Sequence, residues 1–204
     1  MTLVALATED ALSEAVGKRL LIDAGYQLNP SPLLRRNGSG YLRSKMDSWC
    51  EMAKRKPVFL LIDLDRTVCP AELRAAWIGN RKPPENLVMR VAVREIEAWI
   101  LADHQALKTI VGSRGSFPVD PDSLPDPKQY FLRLVARQAR REIREELVAG
   151  AGAIASQGIG YNALLGHLVS TVWSPERAAH RSKSLHKARI RLRELVHRMP
   201  QNQD

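Results

Sequence analysis

The chain has 204 residues, 45% of them hydrophobic, and carries 31 Lys/Arg against 22 Asp/Glu, a formal net charge of +9. That length suits one domain, or one domain with an appendage, and supplies enough apolar residues for a core. No apolar run approaches the roughly 18 residues of a membrane span, so no membrane association is expected, and Cys50 and Cys69 are too few for a disulfide framework or a zinc cluster. Glu9 and Asp10 interrupt the first apolar stretch and no basic region precedes it, which argues against a signal peptide. A reducing cytoplasm is the expected setting.

Thr2–Thr8 is a short apolar segment and reads as the first strand. Asp10–Ala24 has helical spacing, with Leu12, Ala15, Val16, Arg19, Leu20 and Ile22 on one broad face, Asp10 or Ser13 as cap and Gly25 as stop. Tyr26–Leu28 reads as a short strand, residues 30–40 as a loop, and Leu42–Lys54 as a helix. Six apolar residues, Pro57 to Ile62, then run into Asp63, Leu64, Asp65 and Arg66, the pattern of a buried parallel strand. Cys69-Pro70 opens a helix to about residue 78, with Pro70 in its first turn. Leu87–Val93 is a third strand and Arg94–Leu107 a helix with Ile96, Trp99, Ile100 and Leu107 inward.

Residues 113–127 are rich in proline, aperiodic, and read as a long loop. Beyond them come helices at Lys128 to about 148, Tyr161–Thr171, Pro175 to about 179, and Leu185–Arg198. The glycine-rich AGAGAIASQGIGYN between the first two lacks the Lys-Ser/Thr of a phosphate loop and no apolar strand feeds it. Strands alternating with helices predict an α/β fold with a mainly parallel sheet flanked by helices over residues 1–112. Residues 113–204 add a proline-rich loop and a basic helical extension packed on that core. The charge is concentrated there: residues 128–204 hold 14 Lys/Arg against 6 Asp/Glu, residues 1–127 hold 17 against 16. Such an excess is the footprint of a polyanion partner or of a solvated helical face.

The chemistry centres on Asp63 and Asp65. A period of two puts them on one side of the strand end, and the carboxyl edge of an open α/β sheet is where ligands bind. Two carboxylates there repel unless a cation lies between them, and Mg²⁺ takes oxygen ligands. Glu9 follows the first strand, and Glu95 and Glu97 the third, so a parallel sheet gathers all five acids at one edge. Glu9 also reads as a helix-start charge. Glu95 and Glu97 lie about 200° apart on a helix, so at most one of them faces such a centre. Arg66 stands beside the aspartates, to contact phosphate or to pair with them. In KSLHKARIRLRELVHR, Lys183, Lys187, Arg191 and Arg198 fall on one side, with Leu185, Ile190, Leu192 and Leu195 between them. That helix could contact a phosphate backbone or pack on the sheet. Trp99 and Trp173 read as core, His104 as a surface or capping residue.

The order of an acid after the first strand and DxD after a later one resembles the Toprim fold of topoisomerases, primases and the overcoming-lysogenization-defect nucleases. A closer resemblance is to DUF4276, a family of small bacterial Toprim-like proteins. It rests on Thr8-Glu9 through Val16, LIDLDR (61–66), REIEAWILAD (94–103), DPK (126–128), GYN (160–162) and SKSL around 183–185. REIEAWILAD is the specific part. Many Toprim domains carry Glu-Gly after the first strand, where this chain has Ala7-Thr8-Glu9-Asp10.

The resemblance implies a Mg²⁺ (or Mn²⁺) site of Glu9, Asp63 and Asp65 with Glu97 as a fourth acid. It also implies Lys128, in the matched DPK element, as the cation that steadies a transition state. The implied activity is phosphodiester cleavage in DNA or RNA, in bacterial anti-phage defence with an ABC-type ATPase partner, the protein itself being allowed to form a homo-oligomer. Two alternatives stand beside it: a non-catalytic subunit that binds nucleic acid or a partner, and a phosphohydrolase or phosphotransferase acting on a small phosphorylated substrate.

Overall fold

The computed structural model describes residues 4–26, 38–113, 115–150 and 152–198, with side chains as far as Leu195. Three strands, β1 (Ala5–Thr8), β2 (Val58–Asp63) and β3 (Leu87–Ala92), form a parallel sheet in the order β1-β2-β3. The register sets Thr8 opposite Leu61 and Asp63 opposite Ala92, so all three strands end at one edge. The fold is α/β with a helical C-terminal part, as the alternation of elements predicts.

The helices are α1 (Ala11–Asp23), α2 (Gly38–Ser44), α3 (Met46–Ala53), α4 (Pro70–Ile78), α5 (Glu97–Leu101), α6 (His104–Val111), α7 (Pro127–Gln138), α8 (Arg141–Leu147), α9 (Tyr161–Thr171), α10 (Pro175–Ala179) and α11 (Lys183–Arg198). Pleating sends alternate strand residues to opposite faces. Leu6, Phe59, Leu61, Val88 and Ala92 face a large core filled by α1, α5, α6, α7, α9, α10 and α11. Ala5, Ala7, Val58, Leu60, Ile62, Met89 and Val91 face a smaller one under α2, α3 and α4, capped by Trp49 and Trp77. The C-terminal helices thus share their core with β1–β3, and Trp99 and Trp173 are both fully buried in it. Helix α1 approaches β1 at Gly17, where an added Cβ would stand 2.8 Å from Leu6 Cδ1.

Several boundaries differ from the sequence reading. Residues 38–40 belong to α2, and the helix expected over 42–54 breaks at Lys45. The helix expected over 94–107 begins only at Glu97 and breaks at Ala102–Asp103, where Asp103 turns to cap α6 by accepting from the N–H groups of Gln105 and Ala106. The stretch from 128 to 148 splits into α7 and α8. Ile22 and Ile190, expected inward, are 48% and 43% exposed, while Ala188 takes a core place on α11. The strand expected at 26–28 lies outside the described residues apart from Tyr26, which is buried. Gly158 has a packing reason, since a Cβ there would stand 2.2 Å from Glu146 O.

Two buried polar networks hold the C-terminal helices to the rest. Trp99 Nε1 donates to Ser184 Oγ at 2.7 Å, and Asp122 accepts from Ser182 Oγ and from both Oγ and N of Ser184. Fully buried Asp103 accepts from Arg177 Nε (3.0 Å) and Nη2 (2.7 Å) and from the Ser174 N–H at 2.8 Å. Removing such an acceptor strands every donor aimed at it. Asp103→Ala is therefore expected to destabilise the fold by about 3 kcal/mol or more, read as a lowered urea midpoint with an unchanged slope.

Candidate functional site

The carboxyl ends of β1 and β2 and the start of α5 bring acids together. Asp63 is the last residue of β2 and has the parity of Phe59 and Leu61, which puts it on the α1/α5 side of the sheet. Glu9, just past β1, accepts the Asp63 main-chain N–H on Oε1 at 3.0 Å. Asp10 next to it caps α1 by accepting from Ser13 N at 2.8 Å, so its carboxylate is engaged locally. Glu97 opens α5, is buried, and accepts from the Tyr161 hydroxyl of α9 at 2.8 Å.

Asp65 is not a continuation of the strand. It sits past the end of β2 with φ +49°, exposed, and Arg94 past the end of β3 has φ +64°. Left-handed backbone in non-glycine residues is uncommon and concentrates at functional sites. The two turns are tied together: Asp65 N–H donates to Arg94 O at 2.8 Å, and Arg94 Nη1 donates to the carbonyls of Asp65 (3.0 Å) and Thr67 (3.1 Å). The period-of-two argument therefore does not govern Asp65, whose position depends on this pair of turns.

The electrostatics record crowding of like charges. Asp63 is raised well above the usual carboxyl range by burial, then by Glu97, Glu9, Asp10 and Asp65. Glu9 is pushed up to about 7 by burial, opposed by the Asp63 N–H and reinforced by Asp65 and Asp10. Glu97 is likewise pushed up to about 7 by burial, opposed by Tyr161 and Lys128. Burial, then Glu97, holds the Tyr161 hydroxyl far above its ordinary range, so it stays a donor. Asp63 Oδ1 is buried without a hydrogen-bond partner.

Glu95 has a separate task. It precedes α5 and accepts the Lys128 N–H at 2.9 Å, which places its carboxylate at the start of α7. Burial raises it and that N–H lowers it. Lys128 Nζ lies 5.3 Å from the centre of the Tyr161 ring, which brings Lys128 beside the Glu97–Tyr161 pair. A cleft of about 710 Å³ opens next to the acids, lined by Asp65, Arg66, Thr67, Arg94, Glu95, Pro125 and Asp126.

Of the residues singled out in the sequence, Glu9, Asp63, Asp65, Glu97 and Lys128 come together, and Arg66 lines the adjoining cleft. Lys183 and Lys187 line a different cavity, with Val119, Asp120, His180, Arg181 and His186. Arg191 lines a third. The Arg198 side chain lies outside the described residues. Tyr161 and Arg94 were not foreseen in these roles, although both fall inside quoted motifs; their functions depend on contacts 64 and 29 residues away in sequence. His104 is structural, its Nε2 2.9 Å from Pro118 O and its ring against Phe117.

The donor set is all carboxylate, the choice of a hard cation such as Mg²⁺ or Mn²⁺, and the orphaned Asp63 Oδ1 suits a ligand role. Among the described residues no three His, Cys, Asp or Glu side chains stand close enough to share an ion as arranged, so convergence of Glu9, Asp63 and Asp65 on one cation requires side-chain rotation. Comparison of the chain with protein-family models, with curated proteins and with solved structures found no match. No helix among the described residues is long and apolar enough to cross a membrane.

Raised carboxyl pKa values have a definite sign in stability. An ordinary glutamate ionises near 4.5, whereas folded Glu9 and Glu97 hold their protons to about 7. Between those values the folded chain binds more protons than the unfolded one, so stability falls as pH rises through the window. In the presence of a chelator, unfolding free energy is expected to drop by on the order of 5 kcal/mol between about pH 5 and about pH 7.5. Glu97→Gln, which keeps an acceptor for Tyr161, should reduce that dependence, with Glu9 supplying the remainder, in urea titrations.

Proposed function

We propose that this protein is a divalent-cation-dependent phosphodiesterase of the Toprim-like kind, acting on nucleic acid. The observation that supports it is the gathering of Glu9, Asp63, Asp65 and Glu97 at the carboxyl edge of a parallel sheet, with Asp63 Oδ1 buried and unpartnered. A buried carboxylate crowded by others is costly by itself and becomes favourable with a cation.

Glu9, Asp63 and Asp65 would hold Mg²⁺ or Mn²⁺. When bound, the ion supplies Lewis-acid charge for a phosphoryl oxygen and acidifies a water. The remaining work falls to the chain. Tyr161 fixes the Glu97 carboxyl through its 2.8 Å hydrogen bond, and a group near pKa 7 can hold or release a proton at neutral pH. Lys128, beside Tyr161, and Arg66 and Arg94, on the adjoining cleft, supply positive charge for phosphate oxygens. Arg94 also locks the Asp65 turn, so it orients a ligand while lining the cleft. The resemblance to DUF4276 extends the reading to anti-phage defence beside an ABC-type ATPase, with DNA or RNA as substrate.

Asp63→Asn and Asp65→Ala are each expected to lower metal-dependent cleavage of DNA or RNA about a hundredfold or more, while leaving the far-ultraviolet circular dichroism unchanged. Mg²⁺ or Mn²⁺ should raise the melting temperature of the wild type at neutral pH and fail to do so in Asp63→Asn. A double variant that cuts as fast as the wild type would remove the reading. Turnover of mononucleotides with polymers untouched would replace it with a small-molecule phosphohydrolase.

A further inference from the structure

Away from the acids, β3 and its flanking helices build a second charged place. Arg90 on β3, Arg74 on α4 and Arg191 on α11 line a cavity of about 230 Å³ together with Pro84, Glu85, Leu87, Val88 and Met89. It opens beside β3, whose outer side is paired to no strand among the described residues. Arg90 is half-buried, its Nε is sealed from solvent without a hydrogen-bond partner, and no ion pair joins it to a carboxylate among the described residues. Among the described residues Arg74 has no hydrogen bond or ion pair, and Arg191 pairs only with Glu194, at 2.6 Å and on the surface.

Such an arrangement is unfavourable as it stands. Burial, then Arg74 and Arg191, pushes Arg90 down to about 10, with only Glu194 acting in the opposite sense. Three helically or strand-anchored guanidinium groups around one small cavity have a shared remedy, an oxyanion. A guanidinium fork matches two oxygens of a phosphate in its plane, and Arg74, Arg90 and Arg191 each bring one to the cavity wall. The cavity is smaller than the about 300–1,000 Å³ of drug-sized ligand sites, which suits a single phosphoryl group.

We propose that Arg74, Arg90 and Arg191 form a phosphoryl-binding site. The group is either a free phosphate or one unit of a nucleic-acid backbone. The proposal does not rest on the acidic centre being a nuclease, because the arginines line a different cavity and need no metal.

The test uses the full chain in a chelator, so that the acids take no part. Inorganic phosphate is titrated by calorimetry and a short fluorescent single-stranded oligonucleotide by anisotropy, at fixed ionic strength. Saturable one-site binding of at least one of them is expected. Arg90→Met, and separately the double variant Arg74→Ala/Arg191→Ala, should weaken it about tenfold or more. Arg133→Ala, which removes an exposed charge of α7, should leave it unchanged. Binding of phosphate that the oligonucleotide does not displace assigns a free anion; displacement assigns the backbone. Should Arg90→Met fail to fold, the double variant at exposed Arg74 and Arg191 decides the matter. Absence of saturable binding of both probes, or an equal loss in Arg133→Ala, overturns the proposal.

Discussion

A carboxylate at the end of the most buried strand is the constraint around which the rest is arranged. β2 is the central strand and is buried on both faces to Ile62, so whatever follows Ile62 on the α1/α5 side is delivered into a low-dielectric place. Asp63 is that residue. Its Oδ1 is sealed from water, and its neighbours add negative charge rather than neutralising it. The chain meets this in part with main-chain geometry: Glu9 is oriented by the Asp63 N–H, and Tyr161 comes from the far part of the chain to hold Glu97. Neither contact satisfies Asp63 Oδ1, and a proton on the carboxyl removes the charge it would otherwise bury.

The turns beyond β2 and β3 work against this background. Asp65 and Arg94 each take a left-handed backbone of the kind that costs on the order of 1–3 kcal/mol when not over-determined by its surroundings. Here each turn holds the other through three hydrogen bonds. The result is a rigid lip that presents an acid and two arginines to the same cleft. Opposite charges on one lip keep that surface from strong self-repulsion.

Much of the fold was legible in the residues because local and tertiary preferences agree. An apolar run of six, a proline at the start of α4, and Asp10 before a helical pattern each specify one structure, and each is found there. Legibility ends where a residue's partner is distant. Asp103 breaks a helix whose periodicity runs on unbroken, because Arg177, 74 residues later, and Ser174 claim its carboxylate. The same holds at the site. Asp63 could be placed from its strand, whereas Asp65 obeys a turn set by Arg94, and Glu95 serves α7. The charge pattern of α11 does not say which cavity its lysines meet, and Lys183 and Lys187 line one apart from the acids.

Trp99 has a consequence in time as well as in space. Its indole is enclosed by helices from the last third of the chain and donates to Ser184, 85 residues later. At about 5–20 residues per second, on the order of ten seconds of synthesis separate the two. Through that interval β1, β2 and β3 are all present, but the α5 face of the sheet lacks its cover, with Phe59, Leu61 and the largest aromatic ring of the core open to solvent and to other chains. A nascent chain of this protein therefore passes through a stage in which its sheet is complete in sequence and its larger core is not. Until α11 emerges, that face depends on whatever else shields it.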